Sequence, residues 1–289
     1  MRYYITITII ILGWAVSIPS AFSQEVSARI KFTSYLVNQR MFDESIYEAD
    51  ELLLKNLSHS QQDSLYYLKG WSLYNQKQLQ ESAGYLNEVT KNSTFYEKSR
   101  LFGIYNLTHL KNFESADSAI SRYYPHTETG RNFKSFLNSG LYLLKRDIEG
   151  YKTTRQDIPS DYFGLSSELK RMDQISKELE NRHKKSPVIA GILSGIIPGS
   201  GQIYSGKTGQ GIAAFLLSSG LALVTIENYS KRGPERFETI FFGTVFSVFY
   251  IGNIWGATFS AKIANNEYNE LTDKQILFNL HIPLRNIYD

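Results

Sequence analysis

One string in this 289-residue chain has the residue types and spacing of a chemical site. Gly201-Gln202-Ile203-Tyr204-Ser205-Gly206-Lys207-Thr208 fits the pattern Gly-x-x-x-x-Gly-Lys-Thr. In that pattern backbone amides of a glycine-rich loop cradle phosphates, the lysine meets their charge and the threonine hydroxyl ligates magnesium. The surroundings speak against that chemistry. The preceding run contains Ser194 and Gly195 and continues into long apolar segments, not into alternating strands and helices. No run of four apolar residues ending in Asp supplies the second magnesium ligand. Lys207 therefore reads as a charge at a membrane edge, with nucleotide binding as an alternative. Elsewhere His59, His109, His126 and His183 are scattered, with no i, i+4 pair. There is no Gly-x-Ser-x-Gly elbow. The absence of cysteine excludes a disulfide framework, a Cys-ligated zinc site, an iron–sulfur cluster and a Cys nucleophile. The expectation is a protein without catalytic residues, metal or cofactor.

The elements that would position this string come from charge and hydropathy. Lys and Arg number 31 against 28 Asp and Glu, a net charge of +3, so no nucleic-acid surface is expected. Three segments differ sharply. Residues 1–23 read as a signal peptide: Arg2, an apolar run from Tyr3 to about Val16, and Ala21-Phe22-Ser23 before a cut after Ser23. An uncleaved anchor helix is the alternative, although the run is shorter than the ~20 residues of a span. Residues 24–165 read as water-soluble and helical. No proline falls between Gln24 and Tyr124, and charges of both signs are well mixed. Residues 166–185 read as a polar linker helix with a stripe at Leu169, Met172, Ile175 and Leu179, suited to packing on the preceding helices. Arg182, Lys184 and Lys185 follow, placed to meet lipid phosphates.

Residues 186–261 read as a membrane domain. From Pro187 to Ile226 the single charge is Lys207, and Thr239 to Ala261 carries none. The expected order is a short helix over 186–197, a Gly-rich turn over 198–208, and spans near 210–228 and 238–261. Pro198 and Gly199 break the first helix. Gly201 and Gly206 permit positive φ or close backbone approach, and Gln202 and Tyr204 can bond freed backbone groups. Residues 186–204 form either a third span or a re-entrant element. Asn253 and Trp255, inside the last span, suggest packing against a helix partner, or hydrogen bonds within the hairpin. Residues 262–289 read as a polar tail, with Gln275–Ile282 as an edge strand or an extended pairing segment.

Recurrence in the soluble segment is a further signal. Ser45, Ser82, Ala116 and Tyr151 stand 37, 34 and 35 residues apart in similar surroundings. Leu68-Lys69-Gly70-Trp71-Ser72-Leu73-Tyr74 followed by Leu79-Gln80-Glu81-Ser82-Ala83-Gly84-Tyr85-Leu86 is the clearest copy. Small residues at Gly70 and Ser82 let two helices approach, and Leu73, Leu86 and Val89 fill the space beside them. Residues 27–155 thus resemble about four degenerate tetratricopeptide repeats, lacking the usual closing proline. The resemblance implies an all-α, helical-repeat solenoid with a concave face that binds a protein segment. Tyr67, Trp71, Tyr74 and Tyr105 are the candidates to line that face, although aromatics at this spacing more often build core.

The string Ile197-Pro198-Gly199-Ser200-Gly201-Gln202-Ile203-Tyr204-Ser205-Gly206-Lys207 resembles a bacterial family of small membrane domains. Its mark is Pro-Gly-x-Gly-Gln-x-Tyr at the start of a helical hairpin. The resemblance covers residues 186–269, with Phe249–Gly256 and Asn266–Asn269 fitting the family's tail. It implies architecture and no reaction.

The fold expected is therefore a helical-repeat solenoid followed by a two- to three-helix transmembrane hairpin. The function expected is a non-enzymatic scaffold or adaptor of the bacterial envelope, with the lipid bilayer and an unidentified envelope protein as partners. The expected place is the inner membrane, with the helical region periplasmic. A cleaved signal would put Lys231, Arg232 and Arg236 in the cytoplasm, as positive charge prefers. A three-span arrangement would put both basic clusters inside. A small transport or lipid-handling element is the remaining alternative. Its polar path would have only Gln202, Tyr204 and Asn253.

Overall fold

A computed structural model describes residues 24–288, so the signal-peptide expectation lies outside the described residues. Those residues fold into thirteen helices without a strand among them. They divide into two units. One runs up to Ser176 and includes the end of the chain from Ile276; the other is Lys177–Gln275.

In the first unit, α1 covers residues 24–38. It is followed by α2 (Phe42–Leu53), α3 (His59–Asn75), α4 (Leu79–Glu88), α5 (Tyr96–His109), α6 (Phe113–Arg122), α7 (Glu128–Lys145), α8 (Ile148–Arg155) and α9 (Ser166–Glu180). Successive helices from α2 to α8 pack on one another. Four of the turns between them are built alike. Arg40, Lys77, Lys111 and Arg146 each sit in the left-handed region, with φ of 61°, 63°, 57° and 64°. At each, that residue's amide donates three residues back and the next amide donates five back, as in Lys77 to Tyr74 and Gln78 to Leu73. This is the Schellman closure, which commonly uses glycine. Here a basic residue takes the position every time, and its charge meets the carbonyl end of the helix it terminates.

The small residues at the helix crossings act as their spacing predicts. The hydroxyls of Ser45 and Ser72 lie 3.0 Å apart, and the Ser82 hydroxyl donates to the Gly70 carbonyl at 2.7 Å. Asn106 in turn donates to the Ser82 hydroxyl at 2.9 Å, which links α3, α4 and α5. A Cβ on Gly70 would stand 2.8 Å from Leu86 Cγ, so a side chain there would push α4 away. The α9 stripe also packs inward: Leu169, Met172 and Ile175 are buried, and Asp173 accepts from the Tyr151 hydroxyl at 2.5 Å and pairs with Arg155 at 3.1 Å.

In the second unit, α10 (Pro187–Ile196) and the five-residue α11 (Ser200–Tyr204) precede two long helices, α12 (Thr208–Arg232) and α13 (Phe237–Tyr288). By length and composition α12 and α13 can each cross a membrane, and little of either apolar stretch is covered by protein. The expected spans 210–228 and 238–261 fall inside them.

The end of the chain corrects the reading of residues 262–289. Gln275–Ile282 forms neither a strand nor an extended segment, because α13 continues unbroken to Tyr288, past Pro283. Its closing stretch belongs to the first unit. Ile276, Leu280 and Leu284 recur every four residues, so they share one face of the helix, and all three are fully buried. Leu280 occupies the space left by Gly140, where a Cβ would lie 2.5 Å from it, and Tyr288 meets the edge of Phe133 at 6.0 Å. Burial of this face selects helix over the edge strand or extended segment expected for Gln275–Ile282.

Candidate functional site: the glycine-rich turn of the second unit

The glycine-rich string from Pro198 to Lys207 forms a tight corner between α10 and α12. Pro187 starts α10 at a position where its missing N–H costs nothing, and the Ser186 hydroxyl caps it through the Ile189 amide. Pro198 then ends the helix, and Gly199 turns the chain with φ at 87°. No other residue fits Gly199, since a Cβ would lie 1.9 Å from the Gly211 carbonyl oxygen. Gly201 is held as closely: its Cβ would lie 1.9 Å from the Ala190 carbonyl oxygen and 2.8 Å from Ala257 Cβ. Gly206 also has positive φ, at 82°, but in open space.

These close approaches bring polar side chains from three helices together. The Gln202 amide donates to Asn253 Oδ1 at 2.9 Å and to the Asn253 carbonyl at 3.2 Å. Ser194 donates to Gln202 Oε1 at 2.9 Å and accepts from the Gly201 amide at 3.0 Å. Asn253 also accepts from the Gly199 amide at 3.2 Å and donates to the Ser194 carbonyl at 3.3 Å. Ser194, Gln202 and Asn253 are all buried. The amide freed by the break after Pro198 is thus satisfied within the protein, as a buried backbone donor requires. The Tyr250 hydroxyl adds a bond to the Gly195 carbonyl.

Gln202, Asn253, Gly199 and Gly201 are therefore brought together, while Pro198 only terminates the helix beside them. Tyr204 stands apart from the network and accepts the Ser186 amide at 3.1 Å. Trp255 points outward, 63 % exposed, and takes no part in the network. Sequence reasoning did not place Ser194 among the site residues, although a hydroxyl eight residues before Gln202 in an apolar run was the available signal.

The geometry is not that of a phosphate cradle. The amides of Ile203, Ser205, Gly206 and Lys207 all donate to backbone carbonyls of the turn. The Lys207 ammonium pairs with the Glu267 carboxylate at 2.8 Å. No strand leads into the turn among the described residues.

The four aromatic candidates of the first unit are placed differently from a free binding face. Tyr67, Trp71 and Tyr105 are buried and Tyr74 is half-buried. Tyr67 stacks on Phe95 at 4.1 Å, and Trp71 meets Tyr74 at 5.0 Å and Phe102 at 4.9 Å. His281, near the end of α13, stacks on Tyr105 at 4.9 Å and is bonded to the Tyr74 hydroxyl. The protein's own last helix thus lies on Tyr74 and Tyr105. Burial raises the Tyr105 hydroxyl above its ordinary range, with neighbouring Tyr74 adding to the shift.

Among the described residues no group of three or more His, Cys, Asp or Glu could hold a metal ion. No family model, curated protein or solved structure matches the chain.

Proposed function

We propose that this protein is a non-enzymatic, membrane-anchored scaffold of the bacterial envelope. In this reading α12 and α13 form a transmembrane hairpin, with α10 and α11 as a re-entrant element against it. The first unit is a tetratricopeptide-like stack on the periplasmic side of the inner membrane. One observation carries the reading: α13 begins in the exposed apolar stretch and ends as a buried part of the first unit. The chain that follows the exposed apolar stretch, from Ile276, returns as core of the first unit. The four alike turns at spacings of 37, 34 and 35 residues support the repeat reading. The stack engages an envelope protein through surface other than Tyr74 and Tyr105, on which His281 of α13 lies. The consumed amides and the Lys207–Glu267 pair favour a structural role for the glycine-rich turn over nucleotide binding.

Compartment-sensitive reporters fused after Leu165 and after Lys231 test the placement. The expected result is a periplasmic signal at the first and a cytoplasmic signal at the second, with the chain in the membrane fraction. The reverse pattern, or a chain left soluble without detergent, overturns it.

A further inference from the structure

We propose that a cavity beside α7 in the first unit binds a small zwitterion, with a carboxylate and an ammonium on one short backbone, such as a free dipeptide. The proposal does not depend on the membrane reading of α12 and α13. The cavity measures about 390 Å³ and is lined by Pro125, Arg131, Asn132, Lys134, Ser135 and Asp157. That volume falls in the range of small-ligand sites. Four of the six residues lie on α7, where Arg131, Lys134 and Ser135, at i, i+3 and i+4, share one face. Pro125 precedes that helix and Asp157 follows α8, so the cavity lies between one helix and two turns.

Asn132 marks this cavity as a site. It is 6 % exposed, and its amide nitrogen has no hydrogen-bond partner. A buried donor without an acceptor destabilises the fold. The terminal torsion of asparagine is soft, so the amide can turn to meet an anionic oxygen in the cavity. Lys134 gives the same indication. Its ammonium donates to the Tyr123 carbonyl at 2.7 Å and lies 6.0 and 5.9 Å from the Tyr123 and Tyr124 ring centres. These partners carry no net charge, and an ammonium has three donors to place. Burial alone lowers its pKa from the ordinary lysine value, with no carboxylate acting to raise it. Arg131 is exposed and brings a second cation, and Asp157, also exposed, brings the one carboxylate of the lining. Two cations and an orphaned amide donor suit a ligand carboxylate. Asp157 suits an ammonium on the same ligand, and it repels the second charge of a phosphate.

The test is isothermal titration calorimetry of the full-length protein in detergent with Ala-Ala, its C-terminal amide, its N-acetyl form and inorganic phosphate. Ala-Ala should bind. Loss of its carboxylate should weaken binding about tenfold, because charge-assisted bonds to Lys134 and Asn132 go with it. Loss of its ammonium should weaken binding about threefold, because Asp157 is exposed. Lys134→Gln should bring Ala-Ala down to the level of its amide, and Asp157→Asn to that of its N-acetyl form. Asn132→Leu should weaken Ala-Ala while the thermal midpoint stays unchanged or rises, because the orphaned donor is removed. Since Asp157 is exposed, Asp157→Asn keeps the test valid if Asn132→Leu misfolds. No heat of binding from Ala-Ala overturns the site, as does phosphate binding as tightly as Ala-Ala. Unchanged Ala-Ala binding by Lys134→Gln or Asp157→Asn also overturns it. An N-acetyl form that binds as tightly as Ala-Ala overturns the zwitterion in favour of a polypeptide's end.

Discussion

The Tyr74 hydroxyl and His281 Nε2 share a hydrogen bond across 207 positions of sequence. Tyr105 stacks on the other side of that problem: its ring lies against the same imidazole, so a face that could receive a foreign peptide receives the protein's own final helix. Leu280, one residue earlier, is fully buried beside Gly140. The first unit is thus completed by residues that follow the two long apolar helical stretches in the chain.

Leu280→Ala should therefore destabilise the first unit by about 2–5 kcal/mol, the range for a truncated, fully buried leucine. His281→Ala should cost about 1–2 kcal/mol through the lost bond and ring contact. Urea titrations of the purified protein in detergent, followed by Trp fluorescence, read both. An unchanged midpoint for Leu280→Ala would show that this helix end is not part of the core.

The buried network makes a second prediction. Asn253→Leu removes the side-chain acceptor of Gly199 and Gln202 at once; Gln202 keeps the Asn253 carbonyl, while the buried Gly199 amide loses its partner, as does the Ser194 carbonyl. A loss of about 1–3 kcal/mol for each buried orphan is expected. Ser194→Ala leaves the Gly201 amide and Gln202 Oε1 without their partner in turn, so a loss of similar size is expected. Resistance to unfolding by denaturing detergent reads both.

Glycine substitutions separate close packing from backbone conformation. Gly201→Ala places a Cβ 1.9 Å from a backbone oxygen, so α10 and α11 must part and the protein should fail to accumulate in membranes. Gly206→Ala meets nothing but must adopt φ near 82°, so it should cost only about 1–2 kcal/mol. Membrane levels by immunoblot decide, and equal levels for both variants would contradict the packing argument.

Buried tyrosines set the response to alkali. Burial raises the hydroxyls of Tyr105, Tyr123 and Tyr151 above the ordinary 10.0, with Glu97 adding to the shift at Tyr123 and the bond to Asp173 at Tyr151. A folded value above the unfolded one means that the unfolded chain loses its protons first as pH rises. The stability of the neutral tyrosines is present below pH 10 and lost above it. Tyrosinate absorbance of these buried groups should therefore appear together with unfolding. Titration at their ordinary value with the fold intact would refute the burial.

Nucleotide binding offers a fifth check. Equilibrium dialysis with ATP and magnesium should show no binding to the wild type and no difference for Lys207→Ala. Binding that Lys207→Ala abolishes would restore the phosphate-loop reading.

Much of this molecule was legible in local sequence. Two stretches nearly empty of charge between Pro187 and Ala261 determine two helices fit for lipid, because side-chain transfer energies hardly depend on neighbours. Freedom from proline and the spacing of Ser45, Gly70 and Ser82 determine paired helices, because small residues set how near two axes come. Gly199 and Gly201 announced a close turn by type alone. Tertiary structure decided what lies far apart in sequence. Ser194, Gln202 and Asn253 meet only because the chain doubles back, and polarity by itself does not name its partner. Gln275–Ile282 is short and rich in large apolar residues, which suits strand or helix, yet Ile276, Leu280 and Leu284 become one face of a helix once the first unit offers a surface that buries all three. Local pattern permits either conformation there, and the burial available in three dimensions selects between them.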